Sequence, residues 1–182
     1  MYRSLLFILF SVLFVINSSC SSKSGKRHRH GSESYSKSAT NQDVPRNGYY
    51  SVKKVVDGDT FWVDDGSPKG LKIRLIGIDA PESRNVFKKV IGYFGKEAKQ
   101  YMTSLIRGRN VKLEYDVDHL DQYGRTLAYV YLEDGTFVNA DLVKNGYAMV
   151  MTVPPNVKYA DEFIRLQQEA RENRRGLWKE GN

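Results

Sequence analysis

Two aspartates separated by one glycine, Asp57-Gly58-Asp59, interrupt an otherwise apolar run in "SVKKVVDGDTFWVDDG". A turn can be made with one such side chain, and two carboxylates this close repel unless positive charge lies near them. Further along, "GIDAPES" supplies Asp79 and Glu82, while "KIRLIG" and "DQYGRTLAY" supply Arg74 and Arg125. A carboxylate set of this kind suits a hard cation such as calcium or magnesium, and no Cys/His cluster accompanies it to favour zinc. A metal site, two fixed cations and a spare carboxylate are the parts needed to hydrolyse a phosphodiester. Metal and arginines stabilise developing negative charge, and a carboxylate handles the attacking water. A plainer reading of the same spacing makes Asp57 and Asp59 turn formers and leaves Glu82 solvated.

For these residues to meet, the chain must double back. Tyr49–Val56, Thr60–Val63 and Leu71–Ile78 are rich in β-branched and aromatic residues and read as strands, with "DDGSPKG" as the turn between the last two. In an antiparallel meander, the 57–59 turn and the end of the third strand fall at one end of the sheet, which gathers Asp57, Asp59, Asp79 and Glu82. Arg74 precedes Asp79 by five residues, about 16 Å along a straight strand. Strong curvature or a bulge near Gly77 must shorten that distance.

The rest of the chain supplies the frame. Ala98, Met102 and Leu105 mark a helix closed by Arg107-Gly108; 110–117 and 126–132 read as strands; Asp134-Gly135 signals a hairpin turn into 136–138. Val138, Leu142 and Val143 suggest a short helix, 148–153 a brief strand, and Tyr159, Phe163, Leu166 and Ala170 the apolar face of a last helix. The strands do not alternate with helices as βαβ units, so the expectation is an α+β domain built on a small antiparallel barrel or meander.

Before this domain the composition changes. Leu5 to Ile16 is almost unbroken apolar sequence after Arg3. As a helix those residues span about 18 Å, short of a bilayer's roughly 30 Å hydrocarbon core, which suits an export signal. Residues 1–20 resemble a bacterial lipoprotein signal, with Ser18 and Ser19 before Cys20, the only cysteine. Lipidation there would anchor an exported protein to a membrane facing the periplasm or exterior; an ordinary cleaved signal would give a secreted one. Residues 21–47 are polar, basic and serine-rich and read as a disordered tether. Residues 1–46 hold seven of the 28 Lys+Arg and two of the 21 Asp+Glu, leaving 47–182 with a net charge of only +2. The domain's overall charge therefore says little about nucleic acid.

Assembled, the motifs "VVDGDTFWV", "KIRLIGIDAPES", "YFGKEAKQYM", "DQYGRTLAYVYL", "FVNADLVKNGYA" and "RRGLW" resemble those of the thermonuclease (staphylococcal-nuclease-like) family, in family order over about 50–178. The resemblance implies an OB-fold: a five-stranded antiparallel β-barrel with three helices, occupying 48–179. It implies a calcium-dependent nuclease that breaks the 5′ P–O bond of single-stranded DNA and RNA; a monomer is the expectation from the residues, since no amphipathic surface stripe is left unassigned. Asp59 and Asp79 match the family's calcium carboxylates, Ala80 a backbone-carbonyl position, and Asp57 a carboxylate just outside that set. Glu82 matches the general base, and Arg74 and Arg125 the phosphate-holding pair. Tyr123 matches a substrate-side tyrosine. The chain departs from the pattern at "MVMTVPPN", where the family commonly offers tyrosines for a base to lie against.

Several features stand apart. Lys88-Lys89, in the loop after Glu82, could steer phosphates or simply be solvated. Asp116-x-Asp118-x-x-Asp121 lacks the glycine and distal glutamate of a calcium loop and reads as a solvated acidic turn. His119 sits in that turn and carries no expected role. Trp62 reads as packing at a sheet surface, with base stacking as the other reading. The rival function is an OB-fold that binds nucleic acid without cutting it.

Overall fold

The computed structural model describes residues 48–83 and 94–179, all within one compact unit, 39–182. Cys20, the leader and tether, and Lys88-Lys89 lie outside the described residues. Five strands close a barrel in the order β1-β2-β3-β6-β5: β1 (Tyr50–Asp57), β2 (Thr60–Asp64), β3 (Leu71–Leu75), β5 (Asn110–Glu114) and β6 (Thr126–Leu132). A two-stranded sheet pairs β4 (Ile78–Asp79) with β7 (Met149–Val150). The helices are α1 (Gly95–Ile106), α2 (Val138–Lys144) and α3 (Ala160–Glu172), followed by a 3-10 turn at Gly176–Trp178.

Alternation along the strands places Phe61, Val63, Ile73, Val111, Ala128, Val130 and Leu132 inside the barrel, all essentially without solvent contact. Ala98, Met102 and Ile106 of α1, and Phe163, Leu166 and Ala170 of α3, fall at helical spacing and turn inward. The Tyr129 ring meets Tyr159 and Phe137 edge-on, joining the start of α3 to the barrel.

The α+β barrel with three helices is as expected, with one correction to its pairing. Four of the five ladders are antiparallel, but the closing pair, β3 with β6, is parallel, with Ile73 opposite Thr126 and Leu75 opposite Ala128. Helix α1 and β5 intervene between these strands and return the chain so that β6 runs alongside β3. Other boundaries shift too. The strand read as 71–78 is two strands, 110–117 stops at Glu114, and 148–153 shortens to Met149–Val150. Thr136–Val138 is not a strand: Phe137 makes one bridge to Tyr131, and Val138 already begins α2.

The break between β3 and β4 falls at Ile76-Gly77, where the strand problem is solved. Gly77 has φ 78°, and a Cβ there would stand 2.6 Å from the Phe163 ring, so only glycine fits both the backbone and α3. Asn139, fully buried, fixes this turn. Its side-chain N–H donates to the Ile76 carbonyl at 2.9 Å, and its Oδ1 accepts from the Val130 N–H at 3.0 Å. The Met151 N–H donates to the Gly77 carbonyl at 2.9 Å from the other side.

Candidate active site

Turning at Gly77 lets Arg74 reach forward to the residues that follow it. Its Nη1 donates to the carbonyls of Leu75 (3.0 Å) and Ile78 (2.8 Å), and its Nη2 to Asp79 Oδ1 (2.8 Å). The same Nη2 lies 3.2 Å from Asp59 Oδ2. The guanidinium is buried, with 7% of the side chain exposed, and four oxygens hold it. A charge taken this far from water persists only when its donors are matched in this way.

Asp59 is equally fixed. Its Oδ2 also accepts the Ala80 N–H at 2.9 Å, and Oδ1 accepts the Thr60 hydroxyl at 2.9 Å. Asp79, from the short β4–β7 sheet, is half-exposed. Asp57 accepts the N–H of Gly58 at 2.9 Å, as a turn-forming aspartate does. Glu82 follows on the segment after Ala80, and α1 presses against it: a Cβ on Gly95 would stand 2.1 Å from the Glu82 carbonyl.

Arg125 arrives from the opposite side on the turn before β6. Its Nε donates to Asp121 Oδ2 at 2.5 Å, while Asp121 Oδ1 takes the backbone N–H groups of Tyr123 and Arg125, each at 2.9 Å. Burial alone would push the Asp121 carboxyl up. Donation from the Arg125 and Tyr123 N–H groups and the Arg125 guanidinium outweighs it and holds the group below the ordinary carboxylate value.

Asp57, Asp59, Arg74, Asp79, Ala80, Glu82 and Arg125 border one cavity of about 420 Å³ at the barrel rim. The structure thus brings together the residues singled out in sequence, with one difference. Among the described residues no group of three or more His, Cys, Asp or Glu is gathered closely enough to hold a metal ion. All four carboxylates lie on that rim, and of them Asp59 and Asp79 meet at Arg74 Nη2. Tyr123 borders an adjoining cavity of about 270 Å³, which shares Arg74 and Arg125 with the first. That second cavity is walled by Met151, Val153, Pro154 and Pro155, four of the six apolar residues of "MVMTVPPN".

Two positioning residues on the Arg125 side, besides Asn139 at the Gly77 turn, escaped the sequence reading. Asp121, read as part of a solvated acidic turn, holds Arg125. Asn156 is buried and accepts the Asp118 N–H while donating to the Asp118 carbonyl, both at 2.8 Å. It thereby ties the loop before Arg125 to the Pro154-Pro155 segment. An Asp two residues before Tyr-Gly-Arg is an available turn signal; nothing local marks Asn156.

The donor set fits a hard cation. The lining of the first cavity offers carboxylate oxygens and no imidazole, since His119 lies instead against the Tyr115 ring.

A five-stranded barrel whose rim gathers acidic residues and arginines at one cavity has the parts needed to hold and hydrolyse a phosphodiester. The family model described as "Staphylococcal nuclease homologue" matches residues 72–180. The chain is 41% identical to a thermonuclease of Staphylococcus intermedius over 150 residues, covering 82% of this chain and 85% of that protein. It is 40% identical to the thermonuclease of Staphylococcus hyicus, covering 71% and 75%. With Endonuclease YncB of Bacillus subtilis it shares 36% identity, covering 70% and 60%. The chain belongs to the staphylococcal nuclease family.

Proposed function

We propose that this nuclease is calcium-dependent and hydrolyses the 5′ P–O bond of single-stranded DNA and RNA. The observation that carries the reading is the meeting of Arg74, Glu82 and Arg125 with the Asp59–Asp79 pair at one cavity. Asp59, Asp79 and the Ala80 carbonyl would hold the ion, with Asp57 adding negative charge nearby. Bound calcium would supply Lewis-acid polarisation of the phosphate. Arg74 and Arg125 hold the phosphate and stabilise the charge that builds on its oxygens. Glu82 accepts a proton from water as that water attacks phosphorus, the bond to O5′ breaks, and O5′ takes a proton from solvent. The products are a 3′-phosphate and a 5′-hydroxyl. Tyr123 lies on the substrate side, in the adjoining cavity, and Lys88 and Lys89 would add positive charge on the approach.

The test is cleavage of labelled single-stranded DNA and RNA in calcium, magnesium or chelator, with Glu82→Gln alongside. Fragments with 5′-hydroxyl ends should appear in calcium and vanish with chelator. Half-maximal activity should need ~10⁻⁴–10⁻³ M calcium, the range of weak extracellular sites. Glu82→Gln should turn over ~10²–10⁴-fold more slowly. Tight binding with no products in any lane would support the rival, a nucleic-acid-binding module.

Export belongs to the same proposal. Residues 1–20 direct it, Cys20 becomes the lipidated terminus, and 21–47 tether a monomeric domain, 48–179, to the membrane. Among the described residues no helix is long and apolar enough to cross a bilayer. Incorporation of a labelled fatty acid, lost in Cys20→Ser, is the expected result; an unlabelled protein would leave a secreted enzyme.

A further inference from the structure

The barrel face leading away from the cavity carries charge that this chemistry does not use. Trp62 sits on β2 between the core residues Phe61 and Val63 and therefore faces outward. Its register partners are Lys54 on β1 and Lys72 on β3. The ammonium groups of Lys69 and Lys72 lie 5.7 and 5.9 Å from the centre of its ring. Among the described residues none of these three lysines has a carboxylate at ion-pair distance. Asp64, on the same face, is matched by Lys53 at 3.5 Å.

This row is continuous with the active-site cavity. Lys72 borders that cavity beside Arg74 and Thr60, and Trp62 lies two residues beyond Thr60, about 7 Å along the strand. On the far side, Lys54 borders a groove shared with Lys99 and Arg107, so positive charge continues past the ring. Clustered lysines without acidic partners repel one another, and a polyanion relieves that repulsion. An aromatic face among them can stack a base of any identity.

We propose that Trp62, flanked by Lys54, Lys69 and Lys72, forms an accessory subsite for single-stranded nucleic acid beyond the scissile phosphate. The ring stacks one base and the lysines hold the phosphates on either side. The inference rests on the nuclease reading and adds to it a preference for substrates long enough to reach β2.

The experiment uses the full-length protein carrying Trp178→Phe, which leaves Trp62 as the sole tryptophan. Trp178 Nε1 is buried without a hydrogen-bond partner, so the change removes no bond. Two-residue and eight-residue thymidine oligomers are titrated in chelator and then cleaved in calcium. The longer oligomer alone should change Trp62 fluorescence. Trp62→Leu should raise KM for it about tenfold, with kcat and the dinucleotide KM unchanged, and Trp62→Tyr should restore most of the loss. Lys54→Gln/Lys69→Gln, on exposed side chains, should lower the salt dependence of binding by about 1.4 in log–log slope. If the protein cleaves both lengths and no variant separates them, the subsite is refuted while the nuclease stands. If neither oligomer is bound or cut, the nuclease reading itself fails. A Trp62 response to phosphatidylglycerol vesicles but not to the longer oligomer would overturn the proposal in favour of a membrane-facing surface.

Discussion

Arg74 and Arg125 bring the same charge to the same cavity by opposite means. Arg74 stands on a barrel strand, buried, with two carbonyls and two carboxylates around it. Arg125 stands on a surface turn, a quarter exposed, and a single carboxylate orients it. One arginine is inseparable from the fold, since its acceptors are the backbone of the very turn that carries Asp79. The other can be lost or moved with little consequence for the barrel. Stability and activity should therefore fail together on the strand side and separately on the loop side.

The largest expected effect is on the strand side. Arg74→Ala should slow turnover by ~10²–10³-fold, the scale for losing one preorganised electrostatic donor. It also strips the buried Asp59 carboxylate of its cation, which should destabilise the domain by about 3 kcal/mol. That is the low end for a broken buried pair, because Ala80 and Thr60 still donate to Asp59. Denaturant unfolding beside the cleavage assay reads both. Lost activity with unchanged stability would show that Arg74 is not integrated into the fold as its contacts indicate.

The loop side should behave differently. Asp121 touches no cavity-facing atom of the Asp59–Asp79 pair; it acts through Arg125, so it is a positioning residue. Asp121→Ala should lower kcat by ~10–100-fold, as small misplacements of a catalytic group do. The cost in stability should be only about 1–2 kcal/mol for hydrogen bonds at a surface turn. Arg125→Ala and the double variant should then be equally slow, because the second change has nothing left to misplace. Additive losses would break the comparison by giving Asp121 a role of its own. The acid limit follows from the same carboxyl. Its folded pKa lies below the ordinary value, so its stabilising contribution is complete above about pH 4 and is lost only as pH falls through that lowered pKa. From pH 5 to 9 the Asp121→Ala loss should be constant.

The same contrast decides what could be read from the chain. The strand-borne half of the site was legible because a meander's geometry alone brings Asp57–Asp59 and the end of "KIRLIGID" to one rim. Even the need for a break near Gly77 follows from the reach of Arg74. Arg125 stood out as a second fixed cation in "DQYGRTLAY" and resemblance added the role of Tyr123, but neither pointed to the residue that holds them. Asp121 was hidden because its carboxylate bonds three groups within four residues, a pattern that as sequence is indistinguishable from a solvated turn. Asn139 and Asn156 were hidden for another reason. Each satisfies backbone groups far away in the chain, Ile76 and Asp118 respectively, and no local periodicity records such a bond. The parallel β3–β6 closure was missed likewise, since sequential hairpins suggest antiparallel neighbours and only the long return through α1 and β5 permits otherwise.

The smallest expected effect lies at the edge of the loop side. The Tyr123 ring sits 5.4 Å from the Arg125 guanidinium carbon and is 74% exposed. A contact of that kind in water is worth about 0.5–1 kcal/mol, and the ring makes it from the adjoining cavity rather than from the one that holds Glu82. Tyr123→Leu should therefore raise KM by roughly two- to fivefold, the factor that such an energy implies. It should leave kcat and the unfolding midpoint where they were. Steady-state kinetics on a short oligomer separates the two parameters. A fall in kcat matching that of Asp121→Ala would mean that the ring, and not the carboxylate alone, sets the aim of Arg125, and the two halves of the site would then differ less than their contacts indicate.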